Sequence, residues 1–194
     1  MIKAIYVHRV NSQEHLKSIP KDYGVEIDLR SEGKEIILNH DPFKKGEQLE
    51  VFLENYSHKG LILNSKTEGM ETRILEIMNS FNIKNFFFLD LSIPFLIKTY
   101  ESGSKKTAVR FSEHEPYEFS KKFYNKSDWV WVDSFSGNYF SPEQLEELSR
   151  FFKICLVSPE LRGFDINIIK ELKTRYKKIN IEAVCTKHPE LWKK

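Results

Sequence analysis

Residues 24–30 read Gly24-Val25-Glu26-Ile27-Asp28-Leu29-Arg30. Apolar side chains fall at every second position, the period of a β-strand, and the β-branched Val25 and Ile27 suit a pleated backbone. A strand is expected over 25–30, with Glu26, Asp28 and Arg30 sharing one face. Similar β-rich runs occur at 4–8, 60–66, 85–90, 107–111, 129–133, 153–158 and 181–186. An extra extended piece at 35–39 follows the turn Ser31-Glu32-Gly33-Lys34, which implies a short hairpin-like excursion.

Amphipathic stretches separate the runs. Ser141-Pro142-Glu143-Gln144 is a capping box with Pro at the first helical position, and a helix should follow to about 151. Asn11 with Glu14 imitates that box, Asp165 can cap a helix over 166–178, and 70–81 carries apolar residues at Ile74, Leu75, Ile77 and Met78. Stretches 46–56, 92–100 and 115–125 supply the other connectors. Eight β-then-α units without a compositional break imply one α/β domain over 1–194 with a parallel sheet. An open doubly wound sheet would place a Gly-rich phosphate loop after the first strand, and none is there. The expectation is therefore a compact (β/α)8 TIM barrel with short helices, because 194 residues falls just under the usual barrel length.

Composition narrows the function. Thirty Lys+Arg against 28 Asp+Glu leave a net charge of +2, too balanced for a general nucleic-acid partner. Forty per cent hydrophobic residues exclude disorder. Apolar runs such as 86–89 are far too short to span a membrane, and 1–11 lacks the apolar region of a signal peptide, so a cytoplasmic protein is expected. Cys155 and Cys185 are read as buried, reduced thiols on strands.

In a barrel, chemistry gathers where strands end. His8 and Arg9 close the first strand, His40-Asp41 the excursion, Asn64 and Lys66 the third strand, and Asp90 the fourth. A strand buried on both faces should not carry Glu26 and Asp28 unless something offsets their desolvation, and a divalent cation would. Glu26 and Asp28 with oxygens from Asn64 and Asp90 form an all-oxygen set suited to Mg²⁺ or Ca²⁺. His8 and His40 could then serve as general acid and base, with Arg9 and Lys66 facing an anionic phosphoryl group. That constellation describes metal-assisted cleavage of a phosphodiester. The plain alternative is a structural pair, Glu26 and Asp28, salt-bridged to Arg30. His15, His58 and His114 are read as surface residues.

Taken in order, these motifs resemble the glycerophosphodiester phosphodiesterase family, within the phosphatidylinositol-phospholipase-C-like superfamily of TIM-barrel phosphodiesterases. The family's opening His-Arg corresponds to His8-Arg9, its Glu-x-Asp to Glu26-Ile27-Asp28 and its His-Asp to His40-Asp41. Its Glu-x-Lys resembles Asn64-Ser65-Lys66 and its closing Thr-Asp-x-Pro resembles Thr186-Lys187-His188-Pro189. The resemblance covers the whole chain. Asn64 replaces a carboxylate, Val10 replaces the Gly that usually follows His-Arg, and the short 41–60 segment leaves no room for the subdomain many members insert. The resemblance implies a phosphodiesterase in which metal, Arg9 and Lys66 neutralise the phosphodiester and the two histidines move protons. The rim residues Arg110, Glu113, Glu115, Trp131, Asp133 and Glu160 could read a polar, sugar-like part of a soluble substrate, or could be barrel salt bridges. Two rival readings are an inactive barrel that binds a phosphorylated ligand or partner and a lyase that stops at a cyclic phosphate.

Overall fold

The computed structural model describes residues 2–193. Among them, ten strands run in chain order: β1 (Ala4–Val7), β2 (Gly24–Glu32), β3 (Glu35–Leu38), β4 (Glu47–Gln48), β5 (Leu61–Ser65), β6 (Phe86–Leu89), β7 (Ala108–Phe111), β8 (Trp129–Val132), β9 (Lys153–Val157) and β10 (Ala183–Thr186). The helices are α1 (Gln13–Ser18), α2 (Leu49–Leu53), α3 (Glu71–Ser80), α4 (Ile93–Glu101), α5 (Tyr117–Lys121), α6 (Pro142–Ser149), α7 (Ile168–Arg175) and α8 (Pro189–Trp192). No helix among the described residues is long and apolar enough to cross a membrane. The chain divides into two compact units, one spanning His8–Thr107 and the other combining the chain as far as Val7 with everything from Ala108 onward.

In the 8–107 unit β2 pairs parallel with β5, and β5 with β6. The expected excursion is present: β2 turns back into β3, which runs antiparallel with Leu29 opposite Leu38, and β3 pairs in turn with β4. The short β4 lies where a helical connector was expected from 46. Gly46 hugs β3 so closely that a Cβ there would lie 2.3 Å from the Leu38 carbonyl oxygen, so that turn requires glycine. Val25, Ile27, Leu29, Leu61, Ile62, Leu63, Phe87 and Phe88 are buried almost completely. A strand covered on both faces reads as a continuous apolar run, as 61–63 does, and the carboxylates of β2 interrupt that rule.

The other unit is a parallel series in which β1 pairs with β10, β10 with β9, β9 with β8 and β8 with β7. The Ser141 capping box forms as read, Ser141 Oγ accepting from the Gln144 N–H at 3.3 Å and Gln144 Oε1 from the Ser141 N–H at 3.0 Å. Two other starts differ from expectation. Asp165 Oδ1 accepts from the Asn167 N–H at 2.8 Å in an Asx turn, which delays α7 to Ile168. At α1 the cap is Ser12 and not Asn11, because the Asn11 side chain is engaged elsewhere. Cys155 and Cys185 are buried thiols on β9 and β10, outside any disulfide.

Candidate active site

Parallel pairing of β2 with β5 sets Asp28 opposite Asn64. Glu26, two residues earlier on the same face, is fully buried, as is Asp28. Glu26 Oε1 accepts from Asn64 Nδ2 at 2.8 Å and Oε2 from the Arg9 N–H at 2.7 Å, with His8 Nε2 at 3.8 Å. Asp28 Oδ2 accepts from Asn11 Nδ2 at 2.8 Å, and Asn11 Oδ1 in turn accepts from the Asp28 N–H at 2.8 Å. The Arg9 guanidinium lies 3.9 Å from Asp28, and the Lys66 ammonium lies 3.5 Å from Asp28 and 3.6 Å from Asp90. Strand register thus gathers His8, Arg9, Glu26, Asp28, Asn64, Lys66 and Asp90.

Burial, reinforced by the negative charge of Asp28, pushes the Glu26 carboxyl up to about 7 despite the donors Arg9 N–H and Asn64 and the charge of Lys66. Asp28 Oδ1 and Asn64 Oδ1 are buried and accept no hydrogen bond from the described residues, although Asp28 Oδ1 is the oxygen that faces Lys66. Arg9 and Asp90, which end their strands in the cluster, both adopt left-handed backbone conformations, φ 56° and 59°. Such conformations are uncommon for residues with a Cβ and concentrate at functional sites.

His40 joins through the backbone. Arg30 donates from Nε at 3.2 Å and Nη2 at 2.8 Å to the His40 carbonyl, and from Nη1 at 3.4 Å to the Lys66 carbonyl. Arg30 is therefore not the structural partner of the β2 carboxylates but a tie between two other site segments. His40 Nδ1 meets Asp41 Oδ1 at 2.9 Å, and that contact, with Lys44, holds the Asp41 carboxyl below its usual range. Of the histidines read as surface residues, His58 is half-buried, with Nε2 at 2.9 Å from the Ile19 carbonyl oxygen.

The other unit has its own cluster. Fully buried Asp133, just past β8, receives Arg110 from β7 and Arg162 from the 3₁₀ turn after β9, with Arg162 Nε at 2.8 Å. Arg110 also lies 3.5 Å from Glu115, and the Arg162 guanidinium stacks 4.1 Å from the Phe135 ring centre. Burial alone would raise Glu113, but donors from Ser136, Phe135 and the Ser136 backbone bring it down to about 2. Glu160 accepts from the Ser158 hydroxyl, from Thr186 Oγ1 at 2.6 Å and from the Lys187 N–H at 2.9 Å. Trp131 is buried on β8 between Arg110 and Cys155.

Sequence reasoning passed over Asn11, Arg162 and the tying role of Arg30. Asn11 was legible only as a helix cap, and Arg162 sits in a short turn that has no sequence period.

No protein-family profile matches the chain, and no curated protein matches it in sequence. Solved structures do resemble it. A glycerophosphodiester phosphodiesterase from Agrobacterium tumefaciens superposes with a TM-score of 0.69 at 12% identity, covering 98% of this chain and 97% of that one. A second A. tumefaciens structure named for the same activity gives 0.74 at 10% identity, with coverages of 98% and 96%. A glycerophosphoryl diester phosphodiesterase from Parabacteroides distasonis gives 0.60 at 16%, with coverages of 94% and 82%. At such identities the likeness is one of fold, and it establishes the α/β TIM-barrel class expected from the alternation of strands and helices.

Proposed function

We propose that the cluster in the 8–107 unit is the active site of a phosphodiesterase, a single domain over 1–194 that cleaves a small polar phosphodiester with the aid of Mg²⁺ or Ca²⁺. One observation carries this reading: two wholly buried carboxylates, Glu26 and Asp28, lie beside two buried oxygens that accept no hydrogen bond from the described residues, Asp28 Oδ1, which faces only the Lys66 ammonium at 3.5 Å, and Asn64 Oδ1. Buried acceptors left this way are costly, and a cation offsets that cost. Among the described residues no three His, Cys, Asp or Glu side chains are grouped to hold a metal. The donor set on offer is therefore the two carboxylates of Glu26 and Asp28 with the amide oxygen of Asn64, while Asp90 faces the Lys66 ammonium at 3.6 Å, and all-oxygen sets suit hard divalent cations. Bound there, such an ion supplies Lewis-acid polarisation of a phosphoryl oxygen. The fold shared with three structures named as phosphodiesterases supports the same reading.

The chain's own residues then divide the work. Arg9 and Lys66 neutralise the phosphodiester as charge develops on it. Asp41 accepts from His40 Nδ1, which leaves Nε2 as the atom that takes a proton from the attacking hydroxyl. His8, oriented by Glu26 at 3.8 Å, protonates the leaving oxygen. Arg30 holds the carbonyls of His40 and Lys66 and so fixes the base relative to the ammonium. Arg110, with Trp131 and Glu160, is assigned the recognition of a polar or anionic group of the substrate.

Product analysis in ¹⁸O water tests the reaction. Hydrolysis places solvent oxygen on phosphorus. A cyclic phosphate without label would make the protein a lyase, and no cleavage of any phosphodiester with either cation would leave only a binding barrel.

A further inference from the structure

The loop after β3 is tied together from within, yet it leaves its one phenylalanine entirely in water. The Asn39 amide spans the turn, Oδ1 accepting from the Asp41 N–H at 2.9 Å and Nδ2 donating to the Lys45 carbonyl at 2.8 Å. The Asp41 carboxylate also receives the Lys44 ammonium at 3.2 Å. Gly46 closes the loop against β3. Within this frame Phe43 has φ 61° and a relative exposure of 105%.

Both features are unfavourable for an isolated domain. A left-handed backbone disfavours a bulky side chain, and an aromatic ring in water forgoes its hydrophobic transfer. The ties that order the loop run through Asn39, Asp41 and Gly46, so none of them needs a phenylalanine at 43. A ring displayed on a pre-ordered turn can enter an apolar medium without further loss of loop freedom. Its neighbours Lys44 and Lys45 are both exposed. An exposed aromatic ring followed by two lysines is the pattern of a membrane-interface contact with anionic lipid. Two copies of such a loop would instead oppose lysine to lysine, which disfavours a second copy of this chain as the occupant. Val51 on α2 is the counterexample, an exposed apolar side chain flanked by Glu50 and Glu54.

We propose that the 40–45 loop docks the protein onto an anionic lipid surface, with Phe43 entering the boundary between headgroups and acyl chains and Lys44 and Lys45 facing lipid phosphates. The loop begins at His40, the base of the proposed reaction, but the docking rests on Phe43, Lys44 and Lys45 alone.

Flotation with vesicles of phosphatidylcholine, alone or mixed with phosphatidylserine, tests it. The protein should float with the mixed vesicles, less so as salt is raised, and not with phosphatidylcholine alone. Phe43→Ser should reduce binding about tenfold or more, and neutralising each lysine to Gln about fivefold, while Val51→Ser leaves it unchanged. Trp129, Trp131 and Trp192 are all buried and give a background that vesicles should not move, so the emission of Phe43→Trp, read as a difference from wild type, should shift to the blue on mixed vesicles. Absence of binding, binding undiminished by Phe43→Ser, or a self-association that Phe43→Ser abolishes would each overturn the proposal. Turnover is not read in any of these arms, so their failure leaves the phosphodiesterase reading untouched.

Discussion

Each unit buries a carboxylate cluster, around Asp133 in one and on β2 in the other, but in opposite states, and exposed Glu113 sides with Asp133. Asp133 lies between two guanidinium groups and Glu113 is held down to about 2 by its donors, so the charges of that unit are answered inside the chain. Glu26 rises to about 7, and Asp28 Oδ1, facing only the Lys66 ammonium at 3.5 Å, and Asn64 Oδ1 are buried and accept no hydrogen bond from the described residues. The lesson is that burial of charge alone does not mark a functional site. A candidate site is marked by buried charge left incompletely compensated, together with left-handed backbone at Arg9 and Asp90.

Breaking the two clusters should therefore give different losses. Asp133→Asn leaves two guanidiniums without their shared carboxylate and should lower unfolding free energy by about 3 kcal/mol or more in urea titration, because removal of one partner strands the other. Asp28→Asn should cost far less stability. If it proves as destabilising as Asp133→Asn, the contrast between the clusters collapses. Next in size, His8→Gln or His40→Gln should each lower turnover by about 10²-fold with the fold intact by circular dichroism.

The pH dependence of stability sharpens the contrast. Glu26 has its folded-state value raised, so in chelator its contribution is fully present below about 4.5 and is lost as pH rises through about 7. Glu113 is lowered, so its contribution is present above about 4.5 and is lost as pH falls toward about 2. Unfolding series for Glu26→Gln and Glu113→Gln should flatten these opposite limbs, and two slopes of the same sign would contradict the assignment. The smallest effect belongs to Arg110→Lys, which keeps the charge but loses the planar fork. It should raise KM for the true substrate several-fold while sparing a small chromogenic phosphodiester.

Most of the fold and the amino-terminal cluster were legible in the sequence because strand register places them. Period-two alternation over 24–30 puts Glu26 and Asp28 on one face, and parallel pairing then fixes Asn64 opposite. What stayed hidden depends on side-chain reach. Asn11 binds Asp28 across 17 residues, and Arg30 grips carbonyls on two other segments, neither of which leaves a local pattern. The short β4 and the delayed start of α7 were missed because a glycine packed on Leu38 and an Asx turn at Asp165 override helical periodicity.

The central claim is that the buried pair on β2 drives phosphodiester cleavage with a divalent cation. Its most direct test is the initial rate on bis(4-nitrophenyl) phosphate for wild type and Asp28→Asn, each in chelator and then with Mg²⁺ or Ca²⁺ restored. Turnover is expected only with cation present, and Asp28→Asn should reduce it about 10²-fold or more. Equal rates in the two proteins, or a wild-type rate indifferent to chelator, would contradict it.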